Sequence, residues 1–588
     1  MEYQLLTPSI PLEKNIDVTM VERVFANRGI APQDIQHYLH TTNADVVPPE
    51  SIANIRDGAK MLISHVQQNH DILVQVDSDC DGFTSAACLI NYLNCLFPGF
   101  VQTHIFYRIH EGKQHGIILD TIPIDVSLVI APDSSSNDYE QHKQLKMEGK
   151  DVLVIDHHEA EKISEDACII NNQLCDYPTK SLSGVGMVYK FCSYLDQLLH
   201  VDYADQYLDL VALGILADVM DLRDFETRYL VDKGLANIRN PFLRGMVTKQ
   251  AFQLKDRVTP HGISFYIAPG VNAITRVGTV EEKLMLFESM LEFRAYEQIP
   301  STKRGCKGQF ETRVEQACRN CTNIRNRQNK ARDASLEIIE RIIEEKNLLE
   351  NQVLAVKLEG KNESNRNITG LIANQLMGRY QRPVLLLNRT VHDEDPDNVY
   401  VTWDGSGRNA NGTDLTNFQE FLNESGYFEF AEGHDNAFGV SIRDEYFADF
   451  IKYANEKLKD VDFSPKYSSD VIYFANMVHG SEILKLADLG HIWGQGVEEP
   501  LIAITDIKVD RNNLNLFGST LKIALPSDEG ISLVKFRSSN EEYESLYSEL
   551  GCVTINVVGR CSRNSGWDDK PQIIIEDYEI VGRTAYYF

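Results

Sequence analysis

Residues 71–96 read DILVQVDSDCDGFTSAACLINYLNCL, and the fold follows from how this stretch turns. Positions 72–76 form an apolar run of strand length and positions 84–96 carry apolar residues at helical spacing, so 77–82 is predicted to be a strand-to-helix turn. That turn holds three acids, Asp77, Asp79 and Asp81. In extended backbone alternate residues share a side, which would crowd the three carboxylates until a cation neutralises them. Gly82 lets the chain turn tightly into the helix. A single Asp-x-Asp would read as a surface turn with an Asp capping the helix. Three alternating acids after a buried strand point to metal.

Working outward, ILVQV is followed by VSLVIA before Asp133 and by VLVI before Asp156, with helical stretches between them. This alternation predicts an α/β domain with a parallel sheet covered on both faces, whose ligands sit beyond the carboxyl ends of the strands. Each acidic motif follows such a strand: Asp133 in VIAPDSSSND, and Asp156, His157 and His158 in VLVIDHHEA. Asp218 lies in the apolar LDLVALGILADVMDL, where an unpaired carboxylate is costly, although a helix end would also account for it. Carboxylates and imidazole without thiolate favour Mn²⁺ or Mg²⁺ over structural zinc, and more than five such ligands suffice for two ions. Two ions about 3.5 to 4 Å apart would activate a water and stabilise the oxygens of a phosphoryl displacement.

At 588 residues the chain is long enough for several domains, and its 43% apolar and 24% charged content is ordinary for a soluble protein. Eleven cysteines, scattered and odd in number, argue for reduced thiols; the one CxxC, Cys318 and Cys321, has no second pair to complete a zinc site and reads as a helical face. No apolar run is long enough to span a bilayer and the start, MEYQLLTPSIPLEKN, has no signal-peptide pattern, so a cytoplasmic location is expected. A net charge of −29 opposes nucleic-acid binding at long range. One island runs the other way: residues 303–332 hold Lys303, Arg304, Lys307, Arg313, Arg319, Arg325, Arg327, Lys330 and Arg332. A solvated helix face explains such a run by default, yet an acidic protein with one basic island would also suit a polyanion that enters at one place.

Taken in order, these motifs resemble the DHH phosphoesterase superfamily and, within it, the RecJ single-strand-specific 5′ to 3′ exonucleases. SLSGVGMVYKF (181–191), LVALGILADVMDL (210–222), IAPGVNAITR (267–276), GLIANQLMGRYQRPVLLL (370–387), DGSGRN (404–409), AEGHDNAFGVSI (431–442) and IWGQGVEEPLIAITDIKV (492–509) all look like RecJ blocks. The resemblance implies that Asp79, Asp81, Asp133, His157 and Asp218 ligate metal, with Asp133 bridging two ions of Mn²⁺ or Mg²⁺. His158 would lie close to the scissile phosphate and Asp156 would orient His157. Many superfamily members carry a ligand His where this chain has Gln75, and Asp77 is expected to substitute.

It also implies a domain order: a helical lead-in (1–60), a DHH catalytic domain (61–310), a connecting helix (311–350), a DHHA1-type substrate domain (351–460) and an OB-type barrel (461–588). His434, in EGHDNAFG, would touch substrate phosphate, and Arg108, Arg276, Ser406 and Arg408 would hold a terminal 5′ phosphate. In the barrel, Arg560, Arg563, Trp567 and Lys570 form a candidate contact edge. The implied activity is removal of nucleotides from the 5′ end of single-stranded DNA in recombination, repair or replication. The implied partners are single-stranded DNA, with a single-strand-binding protein or a helicase beside it, and no membrane. The alternatives are a DHH phosphodiesterase acting on short RNA or cyclic dinucleotides, and a noncatalytic DNA-binding scaffold.

Overall fold

The computed structural model describes residues 2–6, 19–111, 114–255, 257–360, 368–393, 399–410, 413–463, 466–525, 529–564 and 569–585. The chain divides into two compact units, one of residues 28–326 with 489–499 and the other of residues 1–27, 327–488 and 500–588.

The first unit is built on a five-stranded, all-parallel sheet. Its strands are Asp71–Val76 (β1), Ile105–Ile109 (β2), Val126–Pro132 (β3), Asp151–Asp156 (β4) and Cys168–Asn171 (β5), in the order β2-β1-β3-β4-β5. Both faces are covered, as the apolar runs require. Ile72, Val74 and Val76 join the larger core with Leu128, Ile130, Leu153 and Ile155. Leu73 belongs instead to a second cluster with Val129, Val152 and Val154. Each such buried aliphatic side chain contributes about 1.5–3 kcal/mol. The order places the reversal of direction between β1 and β3, the switch point where doubly wound sheets bind ligands.

Three helices frame that point: Cys80–Leu96 (α1), Gly184–Leu199 (α2) and Leu208–Ala217 (α3). A short hairpin, Gln298–Pro300 (β6) and Phe310–Thr312 (β7), leads into a helix of 33 residues, Arg313–Glu345 (α4). Cys318 and Cys321 are buried free thiols on this helix. No described helix is long and apolar enough to cross a membrane.

In the second unit, Leu354–Leu358 (β8), Val384–His392 (β9), Tyr400–Arg408 (β10), Phe428–His434 (β11) and Ala437–Arg443 (β12) form a mixed sheet ordered β11-β12-β10-β9-β8, with helix Thr369–Tyr380 (α5) against it. His434 ends β11 and pairs with Ala437 across the two-residue turn Asp435-Asn436 that joins β11 to β12. A seven-stranded sheet follows: Val471–Phe474 (β13), Leu501–Val509 (β14), Leu514–Phe517 (β15), Thr520–Ala524 (β16), Ser532–Phe536 (β17), Gly551–Asn564 (β18) and Lys570–Ala585 (β19). Its order is β13-β14-β18-β19-β17-β16-β15. Positions 1–60, read as helical only, also contain the strand Glu2–Leu5, paired in parallel with Lys466–Ser469.

Candidate metal centre

Strand periodicity gathers the acids. Leu73, Val129 and Val152 are register partners across β1, β3 and β4, and stepping two residues at a time from each reaches Asp77, Asp133 and Asp156. Asp79 caps α1, its side chain accepting from Gly82 N at 2.9 Å, so the helix-cap and metal-ligand readings fall on one residue. Asp81, in the first turn of α1, is held by Ser183 Oγ at 3.0 Å, Gly184 N at 2.6 Å and Val185 N at 3.2 Å. The SLSGVG segment thus holds a candidate ligand. Gly184 and Gly214 have no room for a Cβ, because Asp133 crowds the first and Asp81 the second.

Asp133 has φ +66°, a conformation that costs a non-glycine residue about 1–3 kcal/mol. Its N–H donates to Ile155 O at 2.8 Å, which fixes the turn. Asp218 follows α3 as its C-cap, so a helix end and a candidate ligand again coincide.

His157 Nε2 is the common point. It lies 3.2 Å from Asp133 Oδ1, 3.4 Å from Asp218 Oδ2 and 3.9 Å from Asp81 Oδ2. Yet neither His157 Nε2 nor Asp133 Oδ1 has a hydrogen-bond partner among the described residues, though both atoms are buried. Proximity without hydrogen-bond geometry is what atoms converging on an ion produce. Three groupings could hold one: Asp81, His157 and Asp218; Asp133, His157 and His158; and Asp77, Asp79 and Asp133. In each the ligand atoms lie within 4.8 Å of one another.

The electrostatics agree. Burial, then the charges of Asp81 and Asp79, push Asp218 up to about 8. Burial and Asp81 push Asp79 up to about 6. Burial raises Asp133 well above the carboxylate range, and Asp81, Asp79 and Asp77 add to it. Burial lowers His157, favouring the neutral imidazole that a metal requires. These residues fit a divalent cation held by oxygen and imidazole.

His158 sits differently. Its Nδ1 donates to Asp156 Oδ1 at 2.8 Å and its side chain remains 47% exposed. The hydrogen bond to Asp156 raises its pKa to about 9. Burial works to raise Asp156, but hydrogen bonds from His158 and Ser136 outweigh it and hold the acid well below its usual range. Asp156 also accepts from the His157 and His158 N–H groups at 2.8 and 3.2 Å. It positions the backbone of both histidines and the ring of His158.

Two histidines escaped the sequence reading. Asp77 Oδ1 accepts from His110 Nδ1 at 3.0 Å and Asp77 Oδ2 from His115 Nδ1 at 2.8 Å. Burial favours the neutral acid, yet these two imidazoles pull Asp77 below its ordinary pKa. Both come from HEGKQH directly after β2, a His pair at a strand end that carried the same signal as the recognised motifs. His115 is 56% exposed and its ring stands edge-on to His158, centroids 5.6 Å apart. Gln75 is buried with both amide atoms unpartnered among the described residues.

The remaining expected contacts fall on other elements. Arg108 pairs in register with Gln75 and its Nε is buried without a partner among the described residues. Arg276 lies exposed in the last turn of the helix Ala268–Val277. In the second unit Ser406 Oγ lies 3.0 Å from Thr369 Oγ1, and the Arg408 guanidinium closes over Gly370, both at the start of α5. His434 lines an open recess of about 720 Å³ with Asn374, Asn409 and Asn436. Arg560 and Arg563 lie within β18 and are ion-paired, Arg560 with Glu576 and Arg563 with Asp488 and Asp569. Trp567 is outside the described residues.

Residues 71–215 match the DHH family, N-terminal domain. The chain is 37% identical over 589 residues to the provisionally named SPbeta prophage-derived single-strand DNA-specific exonuclease YorK of Bacillus subtilis, covering 99% of this chain and 98% of that protein. It is 24% identical over 593 residues to the single-stranded-DNA-specific exonuclease RecJ of the same organism, covering 96% and 69% of the two chains. Among solved structures, RecJ from Thermus thermophilus in complex with Mn²⁺ superposes with a TM-score of 0.66 at 18% identity, over 98% of this chain and 79% of that one. The same enzyme with Mg²⁺ gives 0.61. With most of the chain aligned to YorK and the acidic motifs converging at the sheet's switch point, this protein belongs to the RecJ-like family of DHH proteins.

Proposed function

We propose that the chain is a metal-dependent exonuclease that hydrolyses single-stranded DNA from the 5′ end. The observation that carries this reading is the pair of buried ligand atoms without a hydrogen-bond partner among the described residues, His157 Nε2 and Asp133 Oδ1, with Asp79, Asp133 and Asp218 all raised in pKa around them. A scaffold protein has no use for that arrangement. Asp79, Asp81, Asp133, His157 and Asp218 would hold two ions of Mn²⁺ or Mg²⁺, with Asp133 common to both. Bound there, the ions supply an activated water and the positive charge that phosphodiester displacement needs.

The chain's own groups do the rest. Asp156 keeps the His158 ring fixed through Nδ1, leaving its other edge to donate to a phosphate oxygen. Asp77 does the same for His115. With both its oxygens engaged by imidazoles, Asp77 serves as a clamp first. Arg108, Arg276, Ser406, Arg408 and His434 are proposed as phosphate contacts, the sheet β8–β12 as the DHHA1-type domain and β14–β19 as an OB-type barrel. The strand order supports the barrel: β14 and β15 are consecutive in the chain yet lie at opposite ends of the run β14-β18-β19-β17-β16-β15, an order that brings the two ends of a closing sheet together through a short connection.

The test is incubation of the purified chain and Mn²⁺ with single strands labelled at either end. Release of labelled mononucleotide from the 5′ label, with a shortening 3′-labelled ladder, is expected. Digestion from the 3′ end, or turnover confined to cyclic or two-residue substrates, would overturn the reading.

A further inference from the structure

The basic island divides once its ion pairs are traced. Arg313 binds Glu288 and Glu297, and Arg319 binds Glu311, with Arg319 Nη2 donating to Glu311 Oε1 at 2.7 Å and to Thr302 Oγ1 at 2.9 Å. Those arginines anchor the base of the β6-β7 hairpin to α4. Glu311, buried, also accepts from Thr302 N at 3.1 Å. The acids of this region are therefore spent on holding the hairpin in place.

The tip, STKRGCKGQ at 301–309, is a pair of successive turns. Cys306 N–H donates to Lys303 O at 3.0 Å and Gln309 N–H to Cys306 O at 3.0 Å, while Ser301 N–H closes the loop onto Gln309 O at 2.9 Å. The third residue of each turn is glycine in the left-handed region, Gly305 at φ +82° and Gly308 at φ +84°. No atom stands within 4 Å of either missing Cβ, so backbone conformation and not lack of space calls for glycine there. The residue before each glycine is a cation, Arg304 in the first turn and Lys307 in the second. Lys303 opens the first. All three are exposed and, among the described residues, none forms an ion pair.

Resting on the function proposed above, we propose that this double turn is a contact site for the backbone phosphates of the single-stranded DNA substrate, separate from the metal centre. The chain carries a net charge of −29, so a polyanion is repelled at long range and must be gripped where cations are uncompensated. Turns built around two left-handed glycines present the cations on a fixed frame, which lowers the ordering cost of each phosphate contact.

The test uses the full chain with Lys303→Ala, Arg304→Ala and Lys307→Ala combined. Binding of a fluorescein-labelled 30-nucleotide oligodeoxythymidylate is followed by anisotropy across a salt series, with Ca²⁺ in place of Mn²⁺. Losing three phosphate contacts at about 0.7 ion each lowers the slope of log Kd against log salt by about 2, and weakens binding at about 0.1 M salt by roughly tenfold to a hundredfold. With Mn²⁺, KM on the long strand rises by a similar factor while kcat on a dinucleotide is unchanged. The more conservative triple Gln variant gives the same result if charge is the cause. An unchanged slope overturns the proposal, whether or not affinity falls, because a fall alone would report disturbed folding. If the unaltered chain does not bind the strand, the exonuclease reading fails with it; if it binds and only the loop variants match it, the loop alone is wrong.

Discussion

At the switch point of the parallel sheet, acidic groups crowd together in excess of their partners; along β18 and β19, charges of both signs are exposed and matched. Asp79, Asp133 and Asp218 all have pKa values raised by burial and then by the charge of Asp81. Arg560 and Arg563, by contrast, sit against Glu576, Asp488 and Asp569. A fold tolerates uncompensated buried charge only where a ligand supplies the missing partner, whereas compensated surface charge is worth about 0–1 kcal/mol and needs no ligand. The same distinction separates Arg313 and Arg319, each tied to glutamate, from Arg304 and Lys307.

Removing the residue at the centre of the acidic cluster should have the largest effect. Asp133→Ala is expected to abolish metal-dependent hydrolysis, by about a thousandfold or more, while circular dichroism stays native. Asp133→Asn should do the same at almost no cost in melting temperature without metal. Burial, and after it the charges of Asp81, Asp79, Asp77 and Asp156, favour the neutral acid at Asp133 in the metal-free protein, and an amide is nearly isosteric with that form. Near-normal turnover by either folded variant would sink the assignment of Asp133 to the metal site.

Next come the two histidines clamped by acids. General acid–base or hydrogen-bonding groups at a reacting phosphate typically contribute 10²–10⁴-fold, so His158→Ala should lower kcat by at least about a hundredfold. His115→Ala is expected to cost about tenfold, with KM affected more than kcat, since His115 is the more exposed of the pair. A His115 variant as damaged as the His158 variant would place both in the chemical step.

A smaller effect separates the two regions by pH. Asp79 and Asp218 have folded-state pKa values raised to about 6 and about 8, above the ordinary value of an unfolded carboxylate. A group raised in this way stabilises the fold fully below its unfolded pKa and loses that contribution as pH climbs through the folded value. The metal-free protein should thus weaken between about pH 4 and 8, and a cation should restore what repulsion removes. The rise in melting temperature on adding Mn²⁺ should be larger at about pH 8 than at about pH 6, with protons released on binding. A metal effect independent of pH would locate the ions away from these carboxylates.

How much of this was legible in the sequence follows the same division. Period-2 strands ending in Asp or His carry the metal centre openly, because burial dictates the apolar run and the run's end dictates where the acid points. That logic reached Asp77, Asp133, Asp156 and His157. His110 and His115 were missed because β2 is an edge strand, IFYRI, interrupted by Arg108 and buried only at its two ends, so its end did not register as part of the site. The roles of Asp77 as a clamp and of Asp156 as holder of the His158 ring depend on which nitrogen meets which oxygen, and spacing does not encode that. Ion pairing is less legible still. Arg563 and Asp488 lie 75 positions apart, and no local rule joins them.

The smallest expected effect is the one that tests this contrast most directly. If matched charge is structural, Arg560→Ala and Arg563→Ala should leave both the affinity for single-stranded DNA and its salt slope where they were. The slope counts counterions released from DNA when protein cations replace them. A guanidinium already neutralised by Glu576, or by Asp488 and Asp569, must first give up that partner, and the exchange returns little. Each substitution should cost no more than about 0.5–1 kcal/mol of stability, the usual worth of an exposed pair. Should either variant instead lower the slope by about 0.7, the increment for one phosphate on a single strand, its carboxylate partner would be a placeholder that DNA displaces. Matched charge would then no longer distinguish the C-terminal sheet from the hairpin tip.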